Sequence, residues 1–164
     1  MARTGITLRI TIVFFLVLYL SWLVAYLHVP ASIRPDLFFY FVVALGFMLP
    51  PLAHLIVAVA VGYFVDTLAG KLWGFHVASY VIIASIMRVS SDHMDIYSPF
   101  FHAVLIVAYV TLQQIFIALY AQGLWPEAGI EFFLKAWLAK VLVSTILGIP
   151  FIASLVRFMY QERT

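Results

Sequence analysis

Two carboxylates stand apart in this chain because of where they sit. Asp66 lies inside an apolar run from Leu52 to Ala69, and Asp36 opens another from Leu37 to Leu49. An acidic side chain on a membrane-spanning helix costs about 2.5–3.5 kcal/mol on insertion scales, so it needs protein, water or a partner around it. For Asp66 two readings stand side by side. In one it is a ligand, proton or partner-binding group; in the other it lies near the end of its helix and simply pairs with Lys71. Around it run Gly62, Asp66, Gly70 and Gly74, each four residues from the last, with His76 two positions on. Positions i and i+4 share one helix face, so Gly62 opens a smooth patch beside the carboxylate where a neighbouring helix approaches closely. Gly70 and Gly74 fall at a turn, where positive φ is tolerated. By itself, such spacing favours helix packing over a ligand site.

Arg34-Pro35-Asp36 precedes the run that starts at Leu37. A proline in the first turn loses no hydrogen bond, and a carboxylate there is favoured by the helix dipole. A helix start accounts for all three residues, and a role in recognition would be an addition to it. Gln113 and Gln114 sit within the run from Pro99 to Ala121. There they can hydrogen-bond to adjacent helices, for about 0.6 kcal/mol each. His54 and His102 stand near the starts of their runs and are expected at the membrane interface. Asp92, His93 and Asp95 could suggest a metal cluster, but two carboxylates and an imidazole in a polar loop read more simply as solvated, and no metal or other cofactor is expected. Cysteine is absent, which excludes disulfides, thiolate metal sites and cysteine nucleophiles. No zinc-protease, nucleophile-elbow or Walker-loop motif occurs, and Asp66 has no second intramembrane acid for acid–base work. An enzyme is not expected.

The elements that must position these residues follow from composition. Of 164 residues, 66% are hydrophobic and 10% charged, against roughly 45–50% and 25% in a soluble domain. A soluble chain this short has too little interior to hide that much apolar surface. The net charge of +2, from nine basic and seven acidic residues, leaves no footprint for nucleic acid. Backbone groups in lipid must be paired internally, and continuous apolar runs rather than alternation point to helices.

Six runs separate by their punctuation: Ile10 to Val29, Leu37 to Leu49, Leu52 to Ala69, Leu72 to Met87, Pro99 to Ala121 and Phe132 to Phe158. The first has roughly the 20 residues of a spanning helix and reads as a retained span, not a signal peptide. The second, ending at Pro50-Pro51, is short; runs two or three could instead form a re-entrant or broken pair. The sixth carries Lys135 and Lys140 near its start, where part of it could lie in the interface as an amphipathic lead-in. The expected fold is an all-α polytopic bundle of about six transmembrane helices in a single domain. With both termini cytoplasmic, that side receives Arg3, Arg9, Arg88, Arg157 and Arg163, a small excess over Arg34, Lys71, Lys135 and Lys140 outside. Trp22, Trp73, Trp125 and Trp137 fall near predicted span ends, as interfacial anchors do.

The string Arg34-Pro35-Asp36-Leu37, followed by Gly62-Tyr63-Phe64-Val65-Asp66-Thr67-Leu68-Ala69-Gly70-Lys71-Leu72-Trp73-Gly74-Phe75-His76, resembles the rod shape-determining protein MreD family. Members show a Pro-Asp-Leu-type start and then Gly-x-x-x-Asp-x-x-x-Gly-x-x-x-Gly, often with a histidine two residues on. The motif-bearing match runs from Arg34 to His76; the last two runs resemble the family only in hydropathy, and Pro50-Pro51 departs from its usual basic or small polar connection. The resemblance implies a subunit of the bacterial inner membrane that binds the bitopic protein MreC. Through MreC it would reach the MreB cytoskeleton and a peptidoglycan synthase made of a SEDS glycosyltransferase and a class B penicillin-binding protein. It would act as a scaffold, with the Gly62/Asp66/Gly70 face docking partner helices. The family is also similar in architecture to the substrate-binding subunits of energy-coupling-factor transporters. That implies the alternative, a small-molecule-binding subunit with a polar cavity fed by Asp66, His76, Gln113 and Gln114.

Overall fold

Each apolar run becomes one helix. The computed structural model describes residues 2–30, 33–69, 74–90, 98–121 and 130–160. The helices are α1 (Ala2–Tyr26), α2 (Leu37–Gly46), α3 (Pro51–Ala69), α4 (Phe75–Ser90), α5 (Pro99–Ala121) and α6 (Ile130–Tyr160). Four of them, α1, α3, α5 and α6, contain stretches long and apolar enough to cross a membrane. At 1.5 Å per residue the ten residues of α2 reach about 15 Å, half of a hydrocarbon core about 30 Å thick.

The shortness of α2 has a reason in its surroundings. All eight residues from Phe38 to Leu45 are buried, so the helix is covered on every side and meets little lipid. A helix that is apolar all round is one enclosed by others. Its backbone packs along α1, α3, α4 and α6, and Phe39 stacks flat on Tyr109 of α5 with ring centroids 3.9 Å apart. Against α6 the approach is close: a Cβ on Gly148 would stand 2.6 Å from the Tyr40 ring, and the Tyr40 hydroxyl donates to the Ser144 carbonyl at 2.8 Å. Runs two and three are each one uninterrupted helix, so neither is broken in two.

Consecutive helices run antiparallel. One end of the bundle brings together the C-terminal end of α2, the start of α3 and the last turns of α4, through Gly46, His54 and Met87. The start of α5 joins them where His102 meets Phe47 edge-on, at 5.5 Å. At this end Arg9 of α1 also donates to the Phe158 carbonyl of α6, at 3.1 Å, so the start of α1 and the end of α6 lie on the same side. Pro50-Pro51 fits this geometry without strain. Pro51 is the first residue of α3, where a missing N–H is harmless, and the Pro50 carbonyl accepts from His54 N at 2.9 Å.

Three expectations change here. His54 and His102 are buried, 6% and 4% exposed, not interfacial; the starts of α3 and α5 lie under the end of α2, where the His54 ring bonds to the Val42 carbonyl at 3.0 Å. Lys140 does not belong to an interfacial lead-in, because α6 is continuous through it and its ammonium turns inward. Pro35 stands outside α2, one residue before the cap, and not in its first turn. Lys71, Trp73, Asp92, His93, Asp95 and Trp125 lie outside the described residues, as does Gly70.

Candidate functional site

At the end of the bundle away from Arg9 and Phe158, both singled-out carboxylates act as helix caps, one within its own segment and one across two. Asp36 is the N-cap of α2, with extended backbone (φ −90°, ψ 97°). Its Oδ1 accepts from Phe38 N and Phe39 N, both at 3.1 Å, satisfying two of the amide donors a helix start leaves open. Its Oδ2 accepts from the hydroxyls of Tyr80 on α4, at 2.7 Å, and of Tyr109 on α5. Four donors thus converge on one carboxylate from three helices.

Asp66 caps a helix that is not its own. From the last turns of α3 its carboxylate reaches the start of α4, accepting from Gly74 N at 2.9 Å, His76 N at 3.0 Å and Val77 N at 3.3 Å. The fourth donor is His76 Nδ1, at 2.8 Å. A carboxylate that already accepts three amides makes Nδ1 the protonated ring nitrogen, which leaves Nε2 pointing elsewhere. Asp66 is 1% exposed, so its oxygens are satisfied by the amides of a helix N-terminus and by the imidazole, not by solvent. Gly62, one turn earlier, makes the reach possible. A Cβ there would lie 2.6 Å from Val77 Cα and 2.7 Å from Val77 N. Gly74 adopts φ +86° at the joint, a conformation glycine enters freely.

The face marked by Gly62 and Asp66 is therefore covered by α4 of the same chain. It was expected to receive partner helices; the close approach that the glycine permits is made from within.

The structure also assembles residues that spacing did not connect. Gln113 donates through Nε2 to the Tyr109 hydroxyl and accepts at Oε1 from Lys140 Nζ, 2.9 Å away. A chain of hydrogen bonds thus runs from the cap of α2 through α5 to α6. Tyr80 and Tyr109 lie 44 and 73 residues from Asp36, and two tyrosines in apolar runs carry no signal of a shared acceptor. The position of Lys140, ten residues into an apolar helix, was the available clue. Gln114 does not join this chain.

Beside the network lies a cavity of about 530 Å³, within the roughly 300–1,000 Å³ range of ligand sites. Its polar lining is Ser21, Arg34, Asp36, His76, Gln113 and Lys140; the rest of the lining is mostly apolar, including Leu18, Trp22, Val65 and Leu68. Of the expected site residues, Arg34, Pro35, Asp36 and His76 line it, while Gly62, Asp66 and Gly74 lie behind, holding the start of α4 in place. Both carboxylates are fully engaged as acceptors, so what the arrangement offers is binding and positioning rather than proton transfer between paired acids. No family model, curated protein or solved structure matches the chain.

Proposed function

We propose that this chain is a non-enzymatic multi-pass subunit of the bacterial inner membrane that belongs to the cell-elongation complex and binds MreC, with both termini in the cytoplasm. The observation that carries the proposal is the use made of the resembling motif. Gly62, Asp66, Gly74 and His76 form one clasp between α3 and α4, and Asp36 a second between α2, α4 and α5. The residues behind the resemblance to the MreD family thus share a structural task. Their order and spacing are what such a clasp requires: a glycine for close approach, an acid one turn later, and a glycine and histidine at the start of the next helix. Through MreC the chain would connect to MreB, the SEDS glycosyltransferase and the class B penicillin-binding protein. Because α4 covers the Gly62/Asp66 face, MreC docks on an outward apolar face.

The test is co-purification of MreC with the tagged full chain from detergent-solubilised membranes, together with cell shape after depletion. Stable capture and rounded, depleted cells are expected. MreC that washes away and rods that persist without the chain would overturn the proposal.

A second reading, the small-molecule-binding subunit of an energy-coupling-factor-type transporter, is favoured by one observation, the cavity with polar groups drawn from several helices. It requires co-purification with an energising ATPase module instead of MreC.

A further inference from the structure

The donors around the cavity outnumber what the protein accepts from them. Lys140 bonds only to the neutral Gln113 Oε1. Arg34 donates through Nη2 to the Val29 carbonyl at 2.9 Å, while its buried Nε has no partner. The buried hydroxyl of Ser21 has none either. Among the described residues no carboxylate lies within ion-pair distance of Lys140 or Arg34. Two cations therefore face one carboxylate, Asp36, whose oxygens already accept four hydrogen bonds. Charges inside a membrane protein ordinarily pair with one another or with a ligand, and open donors on two cationic side chains are complementary to an anion rich in acceptor oxygens.

The apolar lining fixes the rest of the ligand. The backbones of α1 and α3 do not pack directly against each other; Phe14 and Phe64 bridge them, ring centroids 5.6 Å apart. Nearer the cavity end the seam is bordered by Trp22 and Leu68, 58% and 61% exposed on the outer surface of the bundle. The apolar lining thus continues into the surface that faces hydrocarbon.

We propose that the cavity binds a membrane lipid with a phosphodiester headgroup. The phosphate lies between Lys140 and Arg34, the Ser21 hydroxyl donates to it, and an acyl chain leaves through the seam between α1 and α3. This site is independent of whether MreC is the partner.

The experiment uses the full chain in detergent, scored by lipid retained in native mass spectrometry and by thermal shift. The probes are dioleoyl phosphatidylglycerol, the zwitterionic dioleoyl phosphatidylcholine, and inorganic phosphate alone. Preferential retention of phosphatidylglycerol is expected, with affinity about tenfold weaker in Lys140→Met and in Arg34→Gln, as for loss of a charge-assisted hydrogen bond. Lys140→Arg should restore it. Equal affinity for the two lipids, or no effect of either variant, would overturn the site. Inorganic phosphate binding as tightly as phosphatidylglycerol would overturn the lipid and leave a site for a soluble anion. Should the variants fail to fold, a photoreactive phosphatidylglycerol with the wild-type chain decides. Crosslinks concentrated on residues 18–25 and 65–69 support the proposal, and crosslinks spread evenly over the outer faces of the helices refute it.

Discussion

At the scale of single residues, the two carboxylates serve opposite kinds of partner. Asp66 accepts three amides and one imidazole, all from the start of α4; Asp36 accepts two amides of its own helix and two phenols from distant ones. Removing a cap acceptor costs about 0.5–2 kcal/mol, and Asp66→Ala strands four donors at once. Thermal unfolding in detergent should place Asp66→Ala at or above the upper end of that range. Asp66→Asn, which keeps one acceptor oxygen, should fall between it and the wild type; equal stability of Asp66→Ala and wild type would contradict the cap. Tyr109→Phe removes a donor to Asp36 and the acceptor for Gln113. Interhelical hydrogen bonds in membranes average about 0.6 kcal/mol, so a loss of about 1 kcal/mol is expected in the same assay. The pattern around Asp66 was legible in the sequence because it is local, a four-residue period read along one helix. Its recipient was not, since spacing shows which face a side chain occupies but not which helix end its oxygens reach. The Asp36 network was illegible for a stronger reason. Tyrosines, a glutamine and a lysine scattered over three apolar runs look like anchors and packing until the helices are brought together.

At the scale of elements, closeness is set by glycines: besides Gly46 under His54 and Met87, two more bring helices together. Gly62 lets the α4 backbone rest on α3, and Gly148 lets α6 rest on Tyr40 of α2. The obstacle to a side chain differs: at Gly62 it is the backbone of Val77, at Gly148 chiefly an aromatic ring. Gly62→Leu should therefore be the more damaging, forcing the two helices apart and releasing Asp66 from its donors. Gly148→Ala should lower stability by about 1–3 kcal/mol, as for overpacking. Comparing the thermal midpoints and folded yields of these two variants tests the ranking; a milder loss in Gly62→Leu would reverse it. The existence, order and type of all six helices were legible from apolar runs broken by prolines and polar turns. The role of α2 was not. Length alone leaves a ten-residue apolar helix as either a thin span or an enclosed one, and only the burial of Phe38 to Leu45 decides between them.

At the scale of the whole molecule, the alternating course of the helices puts the Arg9 and Phe158 ends together and the Asp36 and Asp66 caps at the opposite pole. The lack of cysteine makes this directly measurable. Single cysteines at His28 and Ser98 should react with an impermeant maleimide from opposite sides of the membrane, and one at Thr7 should follow Ser98. Labelling of His28 and Ser98 from the same side would break the antiparallel course.

The enclosure of α2 also bears on how the chain is made. Four of the helices that cover it, α3, α4, α5 and α6, follow it in the chain and are synthesised later. Until α6 arrives with Ser144 and Gly148, Tyr40 has neither its hydrogen-bond acceptor nor the glycine its ring packs against. A nascent chain halted before α6 therefore presents an unfinished flank to the bilayer. Completion of the core waits on α6, and a chain carrying α1 to α5 without it is expected to be cut more readily by membrane proteases than one that has it.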